Sequence, residues 1–435
     1  MHPEFNLGLY LQRAFWGVWQ QHQGLGAVAV QAQASELGRL WYLILGAFIP
    51  ENLFRYGYFW LTLIIGHLGI YFLLNKFVRK EAAFLGGLFY LLNLGTMQNF
   101  YLPLEMFATA YAFLPWLFWA VVSKKIWPLV LFFILSAPMA NTPTLWAVNF
   151  FALVIFALIY DWRWGIKVAV VGLITNSFWL MPSFYYILTH GSDVANSHIS
   201  QQFSNRAISI SKEFGNLFDI ALIKGYLFDW GHFDFATRQF TDLFPVWKTH
   251  LSNPLVLAVG YGSFAAVIGG ILISLKKRSR FGMAMFPVLL ISVIGLMAFV
   301  DTEALRFPFT KFSFLLMLAM ATFIGLFVER VCNHSRSCVK TYSLVLFFTV
   351  GLIFYTWPAF QGNLICDCER VEFPVEYQQT FDWFEKQDPN TRTAPFPIDS
   401  IYGWGYYSWG YEGAGFRWVG LPQPILDREF DRWMP

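Results

Sequence analysis

Charge is what this sequence has least of. Only 13% of its 435 residues are Asp, Glu, Lys or Arg, where soluble domains carry about a quarter, and this excludes an ordinary water-soluble chain. A formal net charge of +3 gives no basic footprint for nucleic acid. Cysteine is scarce as well. Cys332, Cys338, Cys366 and Cys368 are too few for a disulfide-built fold and lack the paired CxxC spacing of a zinc site. No Walker loop, GxGxxG after a strand, HExxH or GxSxG elbow stands in a context that gives it meaning, so nucleotide-driven transport has no support. No loop carries a carboxylate cluster for a divalent ion, and no cofactor is implied.

What the sequence has in abundance is apolar residues, 57% of the chain, gathered in runs. Runs of about 15 to 23 residues match the length of helix that fills a hydrocarbon core of roughly 30 Å. Spans are expected at 53–75, 83–100, 104–122, 126–143, 144–160, 166–189, 254–275, 281–300, 309–330 and 341–358. The expected fold is therefore an all-α polytopic membrane protein with about ten transmembrane helices. Aromatic residues reach 20%, more than interfacial belts require, so many also line helix contacts or a cavity.

Alternate connections carry the positive charge. Lys76, Arg79 and Lys80; Lys124 and Lys125; Arg163 and Lys167; Lys276, Lys277, Arg278 and Arg280; and Arg330, Arg336 and Lys340 all fall on one side. The intervening short loops hold Arg306 and Lys311. The positive-inside rule puts the basic loops in the cytoplasm and both chain ends outside. Three extracytoplasmic regions follow: residues 1–52 with interfacial helices, a loop at 190–253 within the transmembrane domain of 53–358, and a tail at 359–435. An outward N-terminus with no preceding helix, and an end at Trp433-Met434-Pro435 inside what reads as a folding unit, give the expectation of a fragment at both ends.

Two spans read as broken or short. Gly95, Pro103, Pro138 and Pro143 interrupt 83–100 and 126–143 beside Asn93, Gln98, Asn99, Asn141 and Thr142. Such ends border an outward cavity or are ordinary loop ends. In the tail, Tyr377, Phe381 and Phe384 recur at helical spacing after Pro374, and Asp388-Pro389-Asn390 ends the pattern. Thr393 to Ile398 reads as a strand, and the aromatic, glycine-rich run 402–411 completes the start of a small α+β domain.

Ionisable residues in or beside membrane spans are expensive to keep and are functional candidates. Glu105, Asp301, Glu303, Arg306 and Lys311 qualify, all toward the outward face. Glu105 opens a span, where a carboxylate acts as a base, orients a hydroxyl or caps the helix. Arg306 and Lys311 stand beside apolar rings, with Asp301 and Glu303 in the same loop; this pattern suits a lipid-linked phosphate or the snorkelling of helix-end cations. His67 lies mid-span, where a hydrogen-bond donor in helix packing is commoner than a proton relay. Trp16, Trp19 and His22 precede Gly24-Leu25-Gly26 and suit a helix lying on the membrane. Trp404, Trp409 and Tyr411 offer ring faces for stacking on sugars or for packing a small core.

Taken in order, His2-Pro3-Glu4-Phe5-Asn6-Leu7, Trp16, Trp19, Gly24-Leu25-Gly26, Gly86-Gly87-Leu88-Phe89-Tyr90-Leu91-Leu92-Asn93, Glu105 and Pro115-Trp116 resemble multi-span glycosyltransferases of the GT-C class. The similarity is to bacterial arabinofuranosyltransferase-like and YfhO-like membrane proteins. Arg306 to Ser313 and Pro424 to Trp433 add to it. The resemblance implies transfer of a sugar from a polyprenyl-phosphate donor to a cell-envelope glycan acceptor, outside the bacterial cytoplasmic membrane. It further implies a carboxylate base in the first outward loop. The helix and acidic residue expected ahead of the Pro-Glu-Phe-Asn run are absent here, so the base of that pattern is not among these residues. Glu4 is the nearest carboxylate, and Glu105 is the better carry-over. A transporter or flippase of lipid-linked saccharide and a non-catalytic membrane scaffold are the competing readings, the first without a visible inverted repeat.

Overall fold

The structure is a computed structural model that describes residues 6–16, 19–22, 24–28, 48–196, 204–234, 237–297, 305–334, 338–396, 405–413 and 416–426. It opens with helix α1 (Leu7–Trp16) and a short antiparallel pair, β1 (Trp19–Gln20) with β2 (Ala27–Val28). Then come α2 (Glu51–Leu74), α3 (Lys80–Leu91), α4 (Leu94–Tyr101), α5 (Glu105–Ser123), α6 (Ile126–Leu135), α7 (Pro143–Tyr160), α8 (Trp162–Thr175) and α9 (Ser177–Asn196). The long loop holds α10 (Ser204–Glu213), α11 (Leu217–Leu222), a hairpin of β3 (Gly231–Asp234) and β4 (Gln239–Asp242), and α12 (Pro245–Leu251). Helices α13 (Pro254–Lys277), α14 (Arg280–Leu296), α15 (Pro308–His334) and α16 (Cys338–Tyr355) complete the bundle. The tail contributes α17 (Val375–Phe384), a hairpin of β5 (Gly405–Tyr406) and β6 (Glu412–Gly413), and α18 (Phe416–Gly420).

The all-helical polytopic architecture expected from the apolar runs is the one observed. Six of the ten expected spans are single helices long and apolar enough to cross a bilayer, beginning at Leu53, Glu105, Pro143, Pro254, Pro308 and Thr341. The other four differ for local reasons. The 83–100 segment divides at Leu92 and Asn93 into α3 and α4, because the Asn93 side chain caps α4 by accepting from Thr96 N–H and donates back to the carbonyls of Phe89 and Tyr90. The 126–143 segment is α6 followed by a 3-10 turn at Ala137–Asn141, where Pro138 and Pro143 stop an α-helix. The 166–189 segment, expected as one span, bends by 75° between α8 and α9. Asn176 turns the chain there, its amide donating to Gly172 O at 2.9 Å and its oxygen accepting from Trp179 Nε1 at 3.0 Å. The 281–300 segment is helical only to Leu296, and 298–300 lie outside the described residues.

Helix α15 is the hub, packing against α13, α14 and α3. Every residue from 311 to 325 is buried, as expected of a helix that is apolar all round and enclosed by others. Its most apolar stretch is 83% buried, against 33% for α13, whose Leu255, Ile268 and Leu272 face outward. With no water-driven force between apolar helices in lipid, close backbone approach matters most. Gly270 supplies it, since a Cβ there would stand 2.0 Å from the Phe323 carbonyl oxygen.

A chain of contacts gathers the basic connections at one end. Arg79 pairs with Glu329 and hydrogen-bonds Asn333, Phe77 stacks on Phe281 at 3.9 Å, and Lys124 pairs with Asp161 at 2.5 Å. The opposite end carries the long loop and the tail. Cys366 N–H donates to Tyr101 O at 2.9 Å, and Trp247 Nε1 donates to Asn363 O at 3.0 Å. Cys366 and Cys368 form a disulfide. The expected strand at Thr393 reduces to one parallel bridge, Thr393 with Ile425, and 397–400 lie outside the described residues. Ile425 in turn joins the N-terminal segment: its N–H donates to His22 O at 3.2 Å, and its carbonyl accepts from Gly24 N–H at 2.8 Å. Arg13 on α1 donates to the carbonyls of Trp418 and Leu421.

Candidate functional site

At the end opposite the basic turns, the start of α15 meets the long loop. Asn216 begins the loop's contribution by capping α11, its side-chain oxygen accepting from Phe218 and Asp219 N–H at 3.0 Å each. Ile223, in left-handed conformation with φ of 58°, stops that helix and sends Lys224 and Gly225 back toward the bundle. Gly225 passes so close to Phe309 that a Cβ would lie 2.3 Å from its ring. Its N–H donates to Gln98 Oε1 at 2.8 Å, and Gln98 Nε2 donates to Ile223 O at 2.8 Å. A buried glutamine on α4 thus takes both of its loop partners from one turn.

This turn brings Lys224 beside Pro308 and Phe309, with which it lines one void. Lys224 lies 3.4 Å from Asp219, with its ammonium 4.9 Å from the centre of the Phe214 ring and 5.4 Å from that of Phe228. Lys311, on the first turn of α15, is buried; its Nζ donates to Phe307 O at 3.1 Å and stands 5.8 Å from that ring. Arg306 is half-buried, and its carbonyl accepts from Ser211 Oγ at 3.4 Å. Tyr226 closes the group, 5.1 Å from Phe307, 6.2 Å from Phe309 and 5.6 Å from Trp230, ring to ring. Burial pushes the Tyr226 hydroxyl up to about 12, so it remains a neutral donor at neutral pH. A small void of about 10 Å³ lies between Ser211, Phe214, Lys224, Tyr226, Leu296 and Phe309. Cations held among aromatic rings at the edge of an apolar bundle are chemically suited to a phosphate on a lipid tail.

Glu105 is buried at the first position of α5. Its backbone carbonyl accepts from Thr109 Oγ1 at 2.6 Å and from Tyr58 OH at 3.4 Å. Helices α5 and α15 meet at Phe107 and Phe314, ring centres 6.2 Å apart, which puts Glu105 and Lys311 in the opening turns of neighbouring helices. Glu4, Asp301, Glu303 and Trp404 lie outside the described residues. His67, expected to donate in helix packing, has its Nδ1 without a hydrogen-bond partner among the described residues and lies edge-on to Phe84 at 6.3 Å.

The two described tail aromatics separate in role. Tyr411 is buried against Phe416 and Phe373, at 5.0 and 5.5 Å. Trp409 stacks over Tyr411 at 5.4 Å but is only half-buried, and it edges a cleft. Lys224, Tyr226 and Trp230 escape sequence reasoning, because the long loop has no long apolar run to mark where it meets the bundle. The one signal is the alternation of Lys224, Tyr226, Phe228 and Trp230 at every second position.

In fold the chain is similar to a mycobacterial arabinofuranosyltransferase. The structure of AftD from mycobacteria, solved by single-particle cryo-electron microscopy, matches 98% of this chain with a TM-score of 0.58 and 15% sequence identity. The match covers 29% of the AftD chain, so this chain spans less than a third of that protein. No family model and no curated protein matches the sequence. The AftD likeness bears out the GT-C-like architecture expected from the ordered motifs. At this identity it speaks for the fold and for no individual residue.

Proposed function

We propose that this chain is a membrane glycosyltransferase. It transfers a sugar from a polyprenyl-phosphate-linked donor to a cell-envelope glycan, on the extracytoplasmic face of the bacterial cytoplasmic membrane. The observation that carries the reading is that Lys224, over Phe214 and Phe228, and Lys311, beside Phe307, lie on two segments that the Tyr226 ring joins at the end of the bundle opposite the basic turns, with Arg306 next to Phe307 in the chain. The likeness in fold to AftD supports it.

Two features support the outward placement of this end. Positive connections are retained in the cytoplasm, and they gather at the other end. The Cys366–Cys368 disulfide belongs to an oxidising compartment and lies beside Tyr101, on the side of the cation group.

In this reading the acceptor hydroxyl oxygen attacks the anomeric carbon of the donor. Its proton passes to the Glu105 carboxylate, the bond from that carbon to the phosphate oxygen breaks, and the electron pair stays on the phosphate. Arg306, Lys311 and Lys224 then stabilise the charge that develops on the leaving phosphate, where fixed cations in a water-poor site act most strongly. Asp301, Glu303 and Glu4 are assigned to the same face as further polar groups, without a step of their own.

Broken helices also line transport paths, and here α3 and α4 break within the bundle. Yet the polar groups at that break bond to protein: Asn93 to Phe89 and Tyr90, Asn99 to Gly95 and Ser313, and Gln98 to the long loop. That satisfaction favours a fixed site over a moving gate.

The test is transfer of label from polyprenyl-phosphate sugar to an envelope acceptor, in membranes holding the full-length protein. Arg306→Ala and Lys224→Ala are expected to lower transfer about 10- to 100-fold, and Glu105→Gln by about 100-fold or more. Unchanged transfer in all three variants would refute the site.

A further inference from the structure

The tail holds a second concave surface, remote in sequence from the cation group. Between α17 and the turn that joins β5 to β6 lies a cleft of about 720 Å³, within the range of small-ligand sites. The turn is tight: Gly410 N–H donates to Tyr407 O at 2.9 Å, Tyr407 N–H donates to Tyr411 O at 2.9 Å, and Gly410 has a φ of 96° that favours glycine. Ser408 and Trp409 are thereby carried at its tip, facing α17.

The cleft has a ring-lined floor and a polar rim. Trp409 lies 5.5 Å from Tyr377 and 5.2 Å from Tyr407, and the two tyrosines are 6.4 Å apart. All three are half-buried, whereas Tyr411, Phe416 and Phe381 beneath them are buried and already form the core of the unit. Packing accounts for the lower layer and leaves the upper one with ring surface on the cleft side. The polar residues Glu376, Thr380 and Ser408 complete the lining, and Thr380 Oγ1 donates to Glu376 O at 2.6 Å. Apolar ring faces next to hydroxyl and carboxylate acceptors match a sugar ring, which presents C–H on its faces and O–H at its edge.

We propose that this cleft binds an oligosaccharide, and that the oligosaccharide is a segment of the acceptor glycan. The second half rests on the transferase reading above; the first stands on the cleft itself. The unit is tied to the long loop that carries Lys224 through the His232–Glu412 contact at 3.3 Å, and to the N-terminal helix through the Arg13 bonds to Trp418 and Leu421. A glycan held there keeps its end near the bundle and raises the effective concentration of the acceptor hydroxyl.

The experiment measures binding with no donor present, so its result is independent of whether transfer occurs. Full-length protein in nanodiscs, free of sugar-headed detergent, is titrated with arabinan, galactan and glucan oligosaccharides. Saturation-transfer NMR and tryptophan fluorescence report binding. At least one series is expected to bind, with affinity rising from the monosaccharide to the tetrasaccharide. Trp409→Ala and Tyr377→Ala each weaken it by about tenfold, Trp409→Phe restores most of the loss, and Glu376→Gln changes the preference among the series. Retained amide protection at Ile425 shows that the variants keep the tail folded. Absence of binding across all three series overturns the proposal, and so does binding that persists unchanged in the Trp409→Ala, Tyr377→Ala double variant.

Discussion

The N–H of Gly225 donates to the side-chain oxygen of Gln98 over 2.8 Å, across 127 positions of sequence. One buried amide on a short helix inside the bundle therefore fixes where the long loop turns, and Lys224 is positioned by that turn. With Gln98 also donating to Ile223 O and Leu94 O, both of its N–H groups and its oxygen are bonded.

Gln98→Leu is expected to cost about 1–3 kcal/mol, because it leaves the Gly225 N–H buried and unsatisfied. The loss is read as a lower unfolding temperature in nanodiscs and faster amide exchange at 223–225. Wild-type exchange in that turn would show that the bond does not hold the loop. Transfer activity should fall with it, since Lys224 then loses its place.

Docking of the N-terminal segment on the tail should weaken in acid. In the unfolded chain His22 takes up a proton near pH 6.5; in the fold, burial first and the Arg13 cation second push it down to about 3. Between those values the folded state binds fewer protons, so this contribution is complete above pH 6.5 and is lost as pH falls toward 3, at up to about 1.4 kcal/mol per pH unit. Exchange at the Ile425 amide, which donates to His22 O, should accelerate between pH 7 and 5. His22→Gln should flatten the profile, and an equally steep profile in that variant would remove His22 as the cause.

The Cys366–Cys368 pair tests the orientation. Mass spectrometry of non-reduced protein from native membranes should find these two thiols oxidised, while the buried Cys332 is alkylated only after unfolding. The ring closed by the pair is so short that reduction should hardly change the unfolding temperature. Free thiols at both positions would argue against an extracytoplasmic tail.

Gly270→Leu should disrupt the contact of α13 with the central helix, because even a Cβ there meets the Phe323 carbonyl oxygen at 2.0 Å. Overpacking of this kind costs about 1–3 kcal/mol or more, seen as a lower unfolding temperature. Gly262→Leu on the same helix is the control and should be close to neutral, since a Cβ added there would meet no atom within 4 Å.

Several features were legible in the residues alone. Each apolar run reports its own transfer free energy, a local property, so the six long spans and the clustering of basic turns could be read directly. Arg306 and Lys311 stood out for the same reason, as charges that interrupt an apolar stretch. The bend at Asn176 was hidden, because one polar side chain capturing Gly172 O and Trp179 Nε1 looks in sequence like any asparagine in a span. Trp409 and Tyr411 were indistinguishable as neighbours in one aromatic run until packing buried Tyr411 and left Trp409 at a cleft.

The sequence by itself determined that this chain belongs in a membrane and where six of its long helices begin and end to within a few residues. Only the tertiary structure decided that Gln98 holds the turn of Lys224 and Gly225 against Phe309, that Ile425 pairs with the segment at His22, and that Tyr377, Tyr407 and Trp409 share one floor. The first set follows from the free energy of placing each segment in oil or water, summed along the chain. The second depends on which surfaces fit one another across long separations, and that complementarity leaves no period in the sequence to read.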